Sequence, residues 1–200
     1  MSVTKYNKAY KFRLLPNKAQ EIKFAKTFAC VRFIWNKMLG YADTYYKENG
    51  KAGYITPAKF KPEFEWLKEV DSLALTNTQL NLRSGFQAFF DKRAKHPKFK
   101  GKKDTHQSYT TNNQNVTVRI EGNTIKLPKV GYVKFIQHRN IKAPEKIKNC
   151  TISKSPSGKY HISITVEGVS EIEQVKPRQD KVLGLDYAMN GFYVSKRMVR

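Results

Sequence analysis

One aspartate near the end of the chain stands where chemistry is possible. Asp186 closes the apolar run Val182-Leu183-Gly184-Leu185, and no Asp or Glu follows it as far as Arg200. A carboxylate in an apolar strand is costly to desolvate unless a cation or a metal ion pairs with it. The chain carries 38 Lys plus Arg against 16 Asp plus Glu, a formal net charge of +22. Charge of that size and sign predicts a polyanionic partner. A strand carboxylate on so basic a chain points to metal-assisted chemistry on a phosphate backbone. Without further context, an Asp at a strand end is more often a turn or capping residue.

Other chemistries find little support. His96, His106, His138 and His161 are scattered, with no pair at helical ligand spacing. That argues against zinc binding or an activated nucleophile. The glycines never fall into a nucleotide-binding spacing. Cys30 and Cys150 are isolated, and read as two reduced thiols of a cytoplasmic protein. No apolar run approaches the ~18 residues of a bilayer span, and the N-terminus lacks a signal-peptide core. Nucleic acid is therefore favoured over a membrane surface.

Several elements must position the charge. Residues 8–15 alternate Tyr10, Phe12 and Leu14 with Lys11 and Arg13, the period of a half-buried strand with a basic face. Pro16 stops it. Asn17 and Gln20 have the spacing of a helix capping box. Phe24, Phe28, Val31, Trp35 and Met38 then form one apolar helix face to about Gly40. Residues 41–49 continue helically until Gly50 to Gly53. Residues 67–70 and 75–95 read as a second helical pair, with Leu75, Leu82, Phe86 and Phe89 as its core stripe. Residues 92–103 hold seven Lys or Arg and no acid, with Phe99 placed where a base could stack. The period then changes to two. Val116, Val118 and Ile120, residues 124–127, Val133 and Phe135, and residues 150–154 and 160–166 read as strands of an antiparallel unit over residues 108–167. Ser155-Pro156-Ser157-Gly158 is a hairpin signal. Residues 169–180 read as a linker. Residues 182–186 open a new unit, with residues 192–195 pairing back through a turn at 188–191.

Charge is patterned along these elements. The candidate phosphate contacts are Lys8, Lys11 and Arg13 on the first strand, and Lys18, Arg32 and Lys37 on the first helix. Lys92, Arg93, Lys95, Lys98, Lys100, Lys102 and Lys103 complete the set in the basic loop.

Taken in order, these stretches resemble a known family. Residues 8–18 (KAYKFRLLPNK) and Arg32-Phe33-Ile34-Trp35-Asn36-Lys37 look like the start of TnpB (OrfB) proteins, which are transposase-associated products of insertion sequences. Residues 67–72, 119–131 and 152–160 agree with the same family in the same order. The resemblance implies an RNA-guided DNA endonuclease, with DNA and a guide RNA from the transposon end as partners. Gly184-Leu185-Asp186-Tyr187 is similar to the first motif of the family's RuvC-like domain, which has the RNase H fold. By that similarity Asp186 is the catalytic, metal-binding carboxylate. The implied cofactor is Mg²⁺, held in the family with a Glu and a second Asp farther along. Those later motifs and the family's zinc-binding CxxC pairs have no counterpart here. The chain is thus expected to be the N-terminal portion of such a protein, inactive as a nuclease by itself.

The expected fold class is α+β. Residues 1–16 and 104–168 should form a split β-barrel-like nucleic-acid-binding domain, because the opening strand has no nearby partner and must find a sheet edge. Residues 17–103 should be a basic, helix-turn-helix-like helical insertion, and residues 169–180 a linker. Residues 181–200 should be the first strands of a truncated RuvC-like domain. A non-catalytic RNA- or DNA-binding module, or an inactive transposase remnant, is the alternative. A basic ribosomal component fits the charge but not the ordered motifs.

Overall fold

The computed structural model describes the backbone of residues 3–141, 146–171, 183–186 and 194–197, and the side chains of residues 5–141 and 146–168. The chain divides into a unit of Lys5–Val169 and a second unit containing Ser170–Arg200 with Met1–Thr4. The fold is α+β, with a curled antiparallel sheet and helices.

β1 (Val3–Leu15) follows its period: Tyr10, Phe12 and Leu14 are buried, and Lys11, Arg13 and Leu15 are exposed. Asn17 then caps α1 (Lys18–Asn49) through the expected capping box. Its Oδ1 accepts from the Gln20 N–H at 2.9 Å, and Gln20 Oε1 accepts from the Asn17 N–H at 3.1 Å. Two of the helix's orphan donors are satisfied in this way. Residues 41–49 belong to the same helix, which ends at Gly50 in the left-handed region, φ 64°. Phe24, Phe28, Val31, Ile34 and Met38 bury one face of α1, while Trp35 is only half-buried.

The second helical stretch departs from its expected bounds. In place of a helix at residues 67–70 there is a single 3₁₀ turn, Glu65–Lys68. α2 spans Ser72–Phe90 and stops short of residue 95. The Lys92 N–H donates to the Phe89 carbonyl at 3.0 Å and the Arg93 N–H to the Ala88 carbonyl at 2.8 Å, with Lys92 at φ 59°. This is a Schellman ending with lysine where glycine is usual. The apolar stripe continues past the buried region: Leu75 and Leu82 are buried, Phe86 is half-buried and Phe89 is exposed. At the other end Asp71 is buried, capping Leu73 N–H at 3.0 Å and accepting from the Thr111 hydroxyl.

Six more strands share a sheet with β1. They are β2 (Gln107–Asn112), β3 (Arg119–Glu121), β4 (Thr124–Leu127), β5 (Gly131–Ile136), β6 (Lys146–Lys154) and β7 (Tyr160–Glu171). The order is β2-β6-β7-β1-β5-β4-β3, so the opening strand sits between β7 and β5. Arg13 pairs Ile136, and Leu14 pairs Phe135. Ser155 and Gly158 close the β6–β7 hairpin, with Gly158 at φ 78°. Two strand expectations change. Val116 is exposed at φ 56° and lies outside β3, which holds only three residues. β7 runs to Glu171, so residues 169–171 are strand, whereas the rest of the expected linker lies outside the described residues.

α1 packs on the inward face of this sheet. Phe24 stands 6.5 Å from Tyr109 and 5.6 Å from Tyr160, and Phe28 stands 5.6 Å from Tyr109, centroid to centroid. Removing a ring as fully buried as Phe24 costs about 3–5 kcal/mol. Gln20 Nε2 also donates to the Tyr132 carbonyl of β5 at 2.7 Å, tying the helix start to the sheet.

In the second unit, β8 (Leu183–Asp186) pairs antiparallel with β9 (Val194–Arg197), and Asp186 lies opposite Val194. Residues 187–193, where a turn is expected, lie outside the described residues.

Candidate nucleic-acid interface

The basic loop is fastened to α1 through its backbone. Asn36 sits mid-helix, where a short amide is unfavourable unless it has a job beyond the helix. Its Oδ1 accepts from the Lys100 N–H at 2.8 Å, and its Nδ2 donates to the Lys100 carbonyl at 3.0 Å. Its chain neighbour Trp35 donates from Nε1 to the Lys98 carbonyl at 2.9 Å. Two adjacent side chains therefore satisfy three backbone groups of residues 98–100. At the loop's end the Gly101 N–H donates to Asp104 Oδ2 at 2.8 Å. The segment has no helix or strand, yet it follows one path along α1.

That path sorts its lysines into two kinds. Lys100 places its ammonium 4.1 Å from the centre of the Trp35 ring. Burial of the ammonium lowers its pKa below the ordinary lysine value, and Asp104 offsets part of that fall. The residue as a whole stays exposed, so the ammonium alone is sheltered, by the indole. Lys98, Lys102 and Lys103 have exposed side chains. Lys92 and Lys95 are exposed as well, whereas Arg93 is engaged with Asp91 at 2.7 Å. Phe99 is 60 % exposed and lies over Gly40, so its ring is available for stacking.

The helix contributes Arg32, Lys37 and Lys18. Arg32 is half-buried and lines a cavity of about 140 Å³ with Phe28, Lys100, Gly101 and His106. The tertiary structure thus brings Arg32 and Lys100 together across 68 positions of sequence. Lys37 rests over the rings of Phe33 at 5.8 Å and Phe64 at 5.0 Å. Lys18 is exposed in the first turn of α1.

The β1 residues lie on another surface. Lys11 and Arg13 alternate with the buried Phe12 and Leu14, so they face away from α1. Lys8 stands over Tyr10 at 5.0 Å. Sequence reading missed His161 of the neighbouring β7. Burial lowers its pKa first, and the charges of Lys11, Arg13 and Lys159 lower it further. An imidazole that feels three cations lies in a concentrated positive field. Asn36 was also missed, although a lone Asn within a long apolar helix pattern is a visible signal.

Asp186 is the last residue of β8. The described residues hold no group of three or more His, Cys, Asp or Glu placed for a metal ion. Among them no helix is long and apolar enough to cross a membrane.

Comparison with known proteins finds relatives of this chain. The family model HTH_OrfB_IS605, a helix-turn-helix domain, matches residues 1–51, the stretch that forms β1 and α1. A protein of Escherichia coli strain K12, named as an RNA-guided DNA endonuclease, InsQ, is 30 % identical over 185 residues; the match covers 89 % of this chain and 44 % of that protein. A protein of Streptomyces pristinaespiralis, also named as an RNA-guided DNA endonuclease, is 33 % identical over 108 residues, 50 % of this chain and 27 % of that one. The chain therefore spans less than half the length of these curated relatives. Through the strand, the helices and the sheet in order, the chain is similar to the TnpB (OrfB) family of insertion-sequence proteins.

Proposed function

We propose that this chain supplies the nucleic-acid-holding part of a TnpB-type, RNA-guided DNA endonuclease, binding structured RNA, and DNA less specifically, through phosphate contacts. The observation that carries this reading is the Asn36 and Trp35 anchorage, which turns a lysine-rich loop into an ordered basic rail. Exposed lysines on an ordered backbone meet phosphates with less entropy lost than lysines on a free loop. Residues 1–16 and 104–168 act as a barrel-like binding domain with residues 17–103 as its helical insertion. The position of β1 inside the sheet built by β2–β7 supports that division. Such a protein works where the DNA is, in the cytoplasm.

If roughly six phosphates are engaged, log K falls with log salt at a slope on the order of −4 to −5. Reversing the charge of Lys98, Lys102 and Lys103 together flattens the slope. A slope near zero for the unmodified chain overturns the proposal.

Residues 181–200 are assigned to a RuvC-like unit, with Asp186 as a carboxylate ligand for Mg²⁺; the β8–β9 pairing and the family's first motif support this. Mg²⁺ bound there would activate water and neutralise developing charge on phosphate. One carboxylate does not hold the pair of ions that such hydrolysis uses, so no reaction step is assigned to these residues. The expected outcome is that the 200 residues alone do not cleave duplex DNA with guide RNA and Mg²⁺. Cleavage abolished by Asp186→Ala refutes that expectation.

A further inference from the structure

A second feature, away from the basic loop's anchorage, is an open cavity of about 360 Å³ between the end of α1, the connector after it and the end of α2. Aromatic rings dominate it: Tyr46, Tyr54, Phe86, Phe89 and Phe90, with His96. Tyr54 is 67 % exposed, Tyr46 58 % and Phe90 57 %. Chains rarely leave this much aromatic surface open in one place without a use for it. The wall is fixed by a close approach. A Cβ at Gly53 would stand 2.5 Å from the Tyr45 ring, so only glycine lets the connector lie against α1 here.

Asp43, Lys47 and His96 supply charged or titratable groups to the lining. His96 packs edge-on to Phe86 at 5.4 Å and to Phe89 at 5.2 Å, and its Nε2 stands 3.4 Å from Asp43 Oδ1. The carboxylate of Asp43 is thereby held among aromatic faces. Lys47 also lines the cavity, and Lys92, Arg93 and Lys95 occupy the short segment between two lining residues, Phe90 and His96. Aromatic faces, one carboxylate and a cationic rim fit a ligand with a flat ring, N–H donors on its edge and a phosphate attached.

We propose that this cavity takes one unpaired nucleobase of single-stranded RNA. The ring stacks on Tyr54 and Phe90, the phosphate meets the lysine rim, and Asp43 accepts from an exocyclic amino group. Adenine, cytosine and guanine, which carry such a group, are therefore preferred over uracil, which lacks one. RNA is the favoured source because its loops present bases already unstacked, whereas a duplex must first give one up. This inference rests on the nucleic-acid-binding reading above.

The test measures binding of the 200-residue chain to labelled ten-residue A, C and U ribo-oligomers, a matched RNA duplex and the DNA A oligomer, across a salt series. The doubly substituted chain, Tyr54→Ala with Phe90→Ala, is expected to lose about 10- to 100-fold in affinity for A and C oligomers, as loss of one stacked base implies. Its salt slope and duplex affinity stay unchanged. Asp43→Ala is expected to erase the preference over U. If the double variant does not fold, Tyr54→Leu, which keeps the bulk and removes the ring, carries the same expectation. A change under twofold, an equal loss for duplex, or a loss confined to DNA overturns the pocket assignment. Failure of the unmodified chain to bind any oligomer or duplex overturns the nucleic-acid reading as well, so the two failures are distinguishable.

Discussion

Asn36 holds Lys100 by both backbone groups, with Oδ1 2.8 Å from the N–H and Nδ2 3.0 Å from the carbonyl oxygen. The pairing copies one rung of a β-ladder using a side chain on a helix. It fixes the centre of a segment that otherwise has no regular structure, and with it the direction of the neighbouring lysines.

Asn36→Ala removes both bonds. Each is worth about 0.5–1.5 kcal/mol net, so stability is expected to fall by about 1–3 kcal/mol in urea denaturation. Amide exchange at Lys100 should accelerate, and RNA affinity should drop. Unchanged exchange at Lys100 would show that the anchorage is dispensable.

Lys100 carries a pH signature. Its pKa is lowered in the folded chain, by burial of the ammonium. The folded state therefore releases that proton before the unfolded state does. Between the folded pKa and the ordinary lysine value near 10.5, the unfolded chain binds more protons, so this group's contribution to stability rises with pH. Below that window the desolvation penalty is present in full. Nζ chemical shifts followed through an alkaline titration give the folded value, and Trp35→Leu should change it.

His161 serves as a probe of the β1 face. Its pKa lies below the ordinary histidine value because of burial and of Lys11, Arg13 and Lys159. Stability contributed by this group falls as pH drops through the unfolded value near 6.5 toward the folded one, where the unfolded chain is the better proton acceptor. A polyanion bound over Lys11 and Arg13 cancels their field and should raise the His161 pKa. Ring-proton titrations with and without RNA read this directly, and an RNA-independent value would remove β1 from the interface.

Lys92 occupies the left-handed position of the Schellman ending of α2, at φ 59°. A side chain there costs roughly 1–2 kcal/mol, and glycine avoids that cost. Lys92→Gly is expected to stabilise the chain by about 1 kcal/mol while removing one cation from the rim of the aromatic cavity. Urea midpoints and RNA affinity should thus move in opposite directions.

Much of this was legible in the sequence. Periods of two and 3.6 gave β1 and α1, and Asn17 with Gln20 marked the helix start, because caps and apolar periodicity act locally. Net charge pointed to a polyanionic partner, and ordered motifs pointed to the family. The end of α2 was misread because Phe86 and Phe89 continue the stripe beyond the buried core, and a lysine replaced the glycine that signals a helix stop. Tertiary structure alone decided three things. It set β1 between β7 and β5, since a strand's partner is chosen by burial across the whole sheet. It joined Trp35 and Asn36 to Lys98 and Lys100, more than sixty residues away, through bonds that no local pattern encodes. It also divided the basic residues between two faces, because the alternation of a strand and the turn of a helix send their side chains in directions that only packing relates.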